Sequence, residues 1–276
     1  PHLLVMTATP IPRTLALSLY GDLDLSVIDQ LPPGRQRIQT QWLGPEKRDM
    51  AHQFVRRQVA EGRQAFVICP LTEESEAVAA KAAVAEYQRL STEVFPGLRL
   101  GLLHGRLPAA EKEAVMQSFR EGALDILVST PVVEVGIDVP NATVMLVEGA
   151  ERFGLSQLHQ FRGRVGRGEH ASYCILFSDD PSPEAQERLR VVAQVHDGFA
   201  LAEEDLRLRG PGEFFGTRQS GLPDLRMARL TDLPLLELAR EHARRLFEDD
   251  PTLSHPEHRS LAAELNRLFG GGGEWS

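Results

Sequence analysis

Two arginines, Arg164 and Arg167, stand three positions apart in the segment Gln160–Arg167, whose sequence is Q-F-R-G-R-V-G-R. A guanidinium stays charged at any physiological pH and suits a phosphate chain whose negative charge grows during phosphoryl transfer. Gly163 and Gly166 add no side-chain bulk, so the backbone can come close to a nucleotide. The pattern predicts an arginine-finger segment, with a solvated basic helix end as the alternative.

A second polar segment, Ser129–Pro140, lies upstream of the first. A predicted strand ends at Ser129-Thr130, and hydroxyls or backbone amides at a strand end can bind a phosphate of a nucleic-acid backbone. Asp138 can accept a hydrogen bond from a ribose hydroxyl or orient an arginine. The alternative is a polar connector in which Thr130 caps a helix.

Two more predicted strand ends carry polar residues. His104, Gly105 and Arg106 follow one of them, where the small Gly lets a ligand approach and Arg106 can reach a phosphate. Thr7 and Thr9 follow another and can relay the nucleotide state between two lobes. An ordinary turn is the alternative in both places.

Charged residues precede a Gly-rich stretch at 210–221. Arg207 and Arg209 are two positions apart and do not share a helix face. Each can pair with Glu203 or Glu204 for purely structural reasons. The stretch itself reads as a loop, and the residues leave open whether it is a mechanical lever or disordered.

The 276 residues contain no G-x-x-x-x-G-K-[ST] phosphate-binding loop. The chain has arginines suited to a nucleotide without the loop that would hold one. We expect half of a two-lobed motor, with the other half upstream. The alternative from another class is a non-enzymatic docking module with inert arginines.

Strand and helix patterns alternate between residues 37 and 182. The strand candidates, several of them apolar throughout as in buried parallel strands, are Ile38–Leu43, Ala65–Cys69, Leu98–Leu103, Ile126–Ser129, Val144–Val147 and Tyr173–Phe177. The helix candidates are Glu46–Glu61, Glu76–Val94, Ala109–Arg120 and Ser156–Phe161. This order predicts an α/β fold, a parallel sheet with helices on both faces, in which ligands gather at the carboxyl ends of the strands. Beyond residue 183 the pattern is helical, with a candidate hairpin at 183–209.

The net charge of −9 argues mildly against nucleic acid but leaves room for a local basic track. No apolar run reaches the roughly 18 residues needed to span a bilayer, so no membrane span is predicted. Cys69 and Cys174 lie in apolar runs, which predicts buried, reduced thiols, no metal site and a cytoplasmic setting.

Taken in order, the segments at 7–10, 104–105, 129–140 and 160–167 resemble the second half of superfamily 2 nucleic-acid translocases. They are similar to motif III, the His-Gly segment, motif V and motif VI of those proteins. Residues 11–26, 31–35, 205–213 and 216–221 narrow the resemblance to the RecG family of branch-migrating, ATP-dependent DNA helicases. The last two stretches resemble the translocation motif, a helical hairpin and loop that convert ATP turnover into movement on duplex DNA.

The resemblance implies a RecA-like second helicase lobe followed by a helical hairpin and carboxy-terminal helices. The implied divisions are 1–34 for the end of the first lobe and a connector, 35–182 for the second lobe, 183–225 for the translocation hairpin and loop, and 226–276 for the carboxy-terminal segment. It implies ATP with Mg²⁺, held mainly by a first lobe that this chain lacks. It further implies that the family's amino-terminal wedge domain lies outside this sequence.

The resemblance also implies roles residue by residue. Catalytic roles fall on Gln160, Arg164 and Arg167, and nucleotide contacts on Gly136, Asp138 and Gly163. DNA contacts fall on His104, Arg106, Thr130 and Arg162. Coupling of ATP turnover to movement falls on Thr7, Thr9, Arg207, Arg209 and Gln219.

The implied partners are branched and duplex DNA, and the implied activity is the remodelling of stalled replication forks and Holliday junctions. We expect a monomer in the bacterial cytoplasm, associated with the nucleoid, and no activity from this chain alone. One alternative is a helicase of the same superfamily that acts on RNA or single strands. Residues 205–221 argue against this alternative.

Overall fold

The computed structural model describes residues 4, 26, 28, 37–70, 76–131, 138–180, 182–209 and 233–269. By its internal contacts the chain divides into two compact units, and the boundary between their larger parts falls between Leu208 and Arg209. The functional divisions at residues 35, 183 and 226 are a separate matter and remain predictions.

The first unit is built on a six-stranded sheet in which every pairing is parallel. Its strands are β1 (Gln39–Leu43), β2 (Gln64–Ile68), β3 (Leu100–Leu103), β4 (Ile126–Ser129), β5 (Ala142–Val147) and β6 (Tyr173–Phe177). Their order across the sheet is β1-β6-β5-β2-β4-β3. The predicted parallel α/β sheet is confirmed.

Helices connect these strands and follow the last of them. In the first unit they are α1 (Arg48–Ala60), α2 (Glu76–Arg89), α3 (Ala109–Arg120), α4 (Leu155–Arg162), α5 (Pro183–Gln194) and α6 (Gly198–Arg209). The described part of the second unit contains α7 (Leu233–Asp249) and α8 (Arg259–Phe269). Within the described ranges, no helix has both the length and the hydrophobicity that a membrane crossing requires.

The end of α2 differs from the expected continuous helix to Val94. The α-helix ends at Arg89, and a π-helical turn follows over Leu90–Val94. It is closed by the amide of Phe95, which donates to the carbonyl of Leu90 at 2.6 Å, five residues back. Such turns are rare, and the apolar spacing of the sequence does not reveal them.

Two hydrophobic cores cover the two faces of the sheet, because successive side chains of a strand point to opposite faces. Met145 and Val147 of β5 enter the core shared with α3, α4, α5 and α6, while Val144 and Leu146 enter the core shared with α1 and α2. β2, β4 and β5 are buried along their whole length. Burial on both faces explains why these strands read as continuous apolar runs.

Both cysteines are free and buried in these cores, as predicted. Burial raises the pKa of the Cys174 thiol to about 12 and raises that of Cys69 as well. Neither forms the reactive thiolate at neutral pH.

The chain order places a topological switch point between β2 and β5. From β2 the chain runs to β3 on one side, and from β5 it runs to β6 on the other. Ligands of open parallel sheets bind in the crevice at the carboxyl ends of such a strand pair. The loops that begin at Cys69 and Glu148 therefore border the position where this fold is best suited to bind a ligand.

Candidate nucleotide and DNA site

The arginine segment follows directly on α4 and is anchored to the core. Val165, between the two arginines, is fully buried. Arg164 is half-buried and Arg167 is exposed. Gly166 adopts a positive φ of 77°, a conformation that glycine tolerates without strain. The segment thus presents two cations from a turn that the core holds in place.

Two acceptors orient the guanidinium of Arg167. Its Nη1 lies 3.3 Å from Oδ1 of Asp138, and its Nε donates to the carbonyl of Gly163 at 3.3 Å. The Asp138 side chain is 67% exposed, so water screens the pair and it adds little to folding stability. Of the two roles considered for Asp138, the orientation of an arginine is the one that the structure supports.

A close backbone contact sets the arginine segment beside the segment that carries Asp138. A Cβ atom on Gly168 would lie 2.7 Å from the carbonyl oxygen of Pro140, closer than real Cβ contacts come. No side chain fits there unless the two backbones move apart. Gly168 was not among the predicted site residues, although a third Gly directly after the G-R-x-G-R pattern was a usable signal.

Arg162, which the sequence predicted to contact DNA, is buried in the fold. The residue is 3% exposed. Nη1 donates to the carbonyls of Val192 and Val195 at 2.8 and 2.9 Å, and Nη2 donates to that of His196 at 3.2 Å. These carbonyls lie at the carboxyl end of α5, where helical partners run out. Nη2 also lies 2.7 Å from Nδ1 of His159, so the donors of Arg162 are committed to partners inside the fold.

Arg188 makes the reciprocal connection from α5. Its Nη1 donates to the carbonyl of Glu151 at 3.3 Å, and its Nη2 donates to that of Phe153 at 2.8 Å, just before α4 begins. Together with Arg162, it joins α4 and α5 near both ends of α4. Arg188 was not among the predicted site residues, because a helical pattern carries no information about such partners.

The turn after β3 carries two of the predicted DNA contacts. Arg106 is exposed, and His104 is half-buried with Nδ1 in a buried position that has no hydrogen-bond partner in the described residues. Lys112 of α3 donates to the carbonyl of Gly105 at 2.6 Å and fixes the turn. A cation on a fixed turn at the carboxyl edge of the sheet suits a phosphate backbone.

Thr130 lies deeper than expected. It is 3% exposed, and its amide donates to the carbonyl of Leu103 at 3.1 Å, which extends the pairing of β3 and β4. A residue at this depth offers no hydroxyl to a nucleic acid in this structure. The contact of Thr130 with DNA stays a prediction.

The remaining predicted residues fall into two groups. Arg207 is exposed and pairs with Glu204 at 2.8 Å and with Glu187 of α5 at 3.1 Å, so the structural pairing considered for it is present. Gln160 is half-buried on α4. Thr7, Thr9, Gly136, Gln219 and the side chain of Arg209 lie outside the described residues.

Two family models match the chain. The helicase conserved C-terminal domain matches residues 46–169, and the carboxy-terminal part of domain 3 of the ATP-dependent DNA helicase RecG matches residues 195–276. ATP-dependent DNA helicase RecG of Synechocystis is 56% identical over 98% of this chain and 33% of its own length. That of Bacillus subtilis is 50% identical over 96% of this chain and 39% of its own length.

A solved structure of RecG bound to a three-way DNA junction is 52% identical, with a TM-score of 0.66 over 83% of this chain and 30% of that one. The chain belongs to the RecG family. It spans about a third of the length of the curated RecG relatives. Its sheet unit is the RecA-like carboxy-terminal helicase lobe of this family, as the resemblance implied. The RecG-specific match begins at residue 195, within the segment whose carbonyls Arg162 binds.

Proposed function

We propose that this chain is the carboxy-terminal part of an ATP-dependent translocase of double-stranded DNA that remodels stalled replication forks and Holliday junctions. The observation that carries the proposal is Arg167, oriented by Asp138 and the Gly163 carbonyl on an anchored turn. The names of the relatives and the three-way junction in the similar RecG structure support an ATP-driven enzyme acting on branched DNA.

In this proposal, ATP with Mg²⁺ is held mainly by a first lobe elsewhere in the protein. Arg164 and Arg167 approach the γ-phosphate from this lobe, with Gly136 and Asp138 lining the same cleft and Gln160 nearby on α4. A guanidinium that meets the developing negative charge contributes about 10³ to 10⁵ in rate. Asp138 and Gly163 hold Arg167 near its working orientation, which lowers the entropy lost when ATP binds.

The proposed coupling path runs through α4 and α5. Lobe closure moves the arginine segment, and α5 follows because Arg162 and Arg188 tie it to α4. The chain continues from α5 into α6. The ion pair of Arg207 on α6 with Glu187 on α5 links the two helices. Thr7, Thr9, Arg209 and Gln219 complete the proposed coupling set. His104 and Arg106 contact the DNA backbone, so binding is salt-sensitive and weakly dependent on sequence.

The test is ATP hydrolysis by the full-length protein with forked DNA, linear duplex, single-stranded DNA and RNA, alongside unwinding of the fork. Forked DNA should stimulate hydrolysis most strongly. Stronger stimulation by RNA or single strands would favour a related helicase, and no hydrolysis with any of them would favour a docking module. This chain alone should show no measurable hydrolysis. The full-length protein should sediment as a monomer and locate to the bacterial cytoplasm, at the nucleoid.

A further inference from the structure

Arg152 is a cation at the switch point that the site described above does not use. It lies in the turn after β5, and its side chain is 57% exposed. Gly149 starts this turn with a left-handed φ of 55°. A Cβ atom on Gly149 would lie 3.1 Å from Cγ of Pro70 and 3.6 Å from Cδ of Arg152. Arg152 thus stands beside the crevice between the loops that follow β2 and β5.

Among the residues that the structure describes, the acidic groups around Arg152 leave its hydrogen-bond donors largely available. Its Nε lies 3.8 Å from Oε1 of Glu151, beyond the roughly 3.2 Å of a hydrogen bond. Glu148, the other acid of this loop, is paired with Arg48, which also binds Asp179 at 3.1 Å. Arg48 therefore offsets both of those carboxylates. The exposed guanidinium of Arg152 remains suited to an anionic ligand.

The backbone on both sides of Arg152 is fixed. Arg188 donates to the carbonyls of Glu151 and Phe153, which flank it in sequence. The amide of Arg152 also donates to the carbonyl of Gly149 at 3.0 Å. A side chain presented from a fixed turn loses less conformational entropy on binding than one on a mobile loop.

We propose that Arg152 binds a phosphate of the DNA backbone, an inference that rests on the proposed function. Arg106 follows β3 and Arg152 follows β5, three strands away on the same edge of the sheet. Neighbouring strands are about 4.8 Å apart, which separates the two strand ends by about 14 Å. That distance corresponds to about four phosphates at roughly 3.4 Å of rise per strand. A single DNA strand running along this edge meets both arginines.

The experiment compares Arg152→Ala with Arg120→Ala in the full-length protein. Arg120 is a matched control, because it is an arginine 37% exposed with a loose partner at 3.3 Å, at the helix end leading into β4 on the opposite edge. The Kd for forked DNA is measured over a range of salt, and the KM for ATP in parallel. Arg152→Ala should weaken DNA binding about three- to tenfold and reduce the slope of log Kd against log salt by about 1. Arg120→Ala should change neither.

Two further variants of Arg152 separate the effect of its charge from an effect on folding. Arg152→Lys should restore most of the salt slope because it keeps the charge, and Arg152→Gln replaces the Ala variant if that variant does not fold. A Kd and slope equal to those of Arg120→Ala would overturn the inference, as would a loss of ATP affinity in place of DNA affinity. If the unmodified protein neither hydrolyses ATP nor binds forks, the proposed function itself fails and takes the inference with it.

Discussion

Arg162 and Arg167 lie five positions apart at the end of one helix and occupy opposite environments. Arg162 is buried, and its donors meet three backbone carbonyls at the end of α5. The Arg167 side chain is 30% exposed and meets one exposed carboxylate and one carbonyl. Within one Gly-Arg pattern, the arginine at position 162 joins two helices and the arginine at position 167 presents a charge.

The contacts of the two arginines also differ in how much they stabilise the fold. Hydrogen bonds from a charged donor to buried carbonyls contribute about 1.5–3 kcal/mol each, whereas an exposed ion pair contributes about 0–1 kcal/mol. Loss of Arg162 should therefore affect folding first, and loss of Arg167 should affect chemistry first. The variants below test that division, from the largest expected effect on stability to the smallest.

Arg162→Ala should lower the free energy of unfolding by about 3 kcal/mol, because one buried and two partly buried carbonyls lose their charged donor. Thermal unfolding of the sheet unit measures it, with Arg120→Ala as the exposed control. Arg162→Lys should recover part of the loss, since an ammonium keeps the charge without the planar fork. A melting curve like that of the control would show that the buried hydrogen bonds do not stabilise the lobe.

Gly168→Ala should lower the free energy of unfolding by about 1–3 kcal/mol, because its methyl group would overlap the Pro140 carbonyl. The shift needed to relieve that overlap also separates Arg167 from Asp138, so ATP hydrolysis by the full-length protein should fall by about tenfold. Calorimetry and a steady-state ATPase assay measure the two effects. Unchanged values in both would mean that the close approach does not set the arginine segment.

Asp138→Asn should lower ATP hydrolysis several-fold while changing the free energy of unfolding by less than about 1 kcal/mol, because it removes an exposed ion pair that orients Arg167. A double-mutant cycle with Arg167→Ala measures the coupling. The Asn substitution should have little further effect once Arg167 is gone. Fully additive losses would assign Asp138 a role independent of Arg167, such as a contact with the ribose.

Arg207→Ala should leave thermal unfolding unchanged, because its pairs with Glu187 and Glu204 are exposed. Fork unwinding by the full-length protein should nevertheless fall more than ATP hydrolysis does. Parallel assays of the two activities on one preparation give the ratio. Equal losses in both would remove Arg207 from the proposed coupling set.

The sequence predicted the bounds of helices and strands better than the depth of single side chains. Ile126–Ser129, Tyr173–Phe177 and Ala109–Arg120 were placed to the residue, because apolar runs and a helical stripe mark them. The depth of single side chains was predicted worst. The carbonyls that bind Arg162 lie 30 to 34 positions along the chain, and nothing in the local pattern marks them as partners. The burial of Thr130 is likewise not marked by the residues next to it in sequence.

The decisive measurement is single-turnover ATP hydrolysis by the full-length protein carrying Arg167→Ala, with protein in excess over ATP and with saturating forked DNA. The expected rate is at least about 100-fold below that of the unmodified protein, with an unchanged melting temperature, because in the proposed function Arg167 acts on the transferred phosphoryl group and not on the fold. A near-normal rate in a folded variant would contradict it.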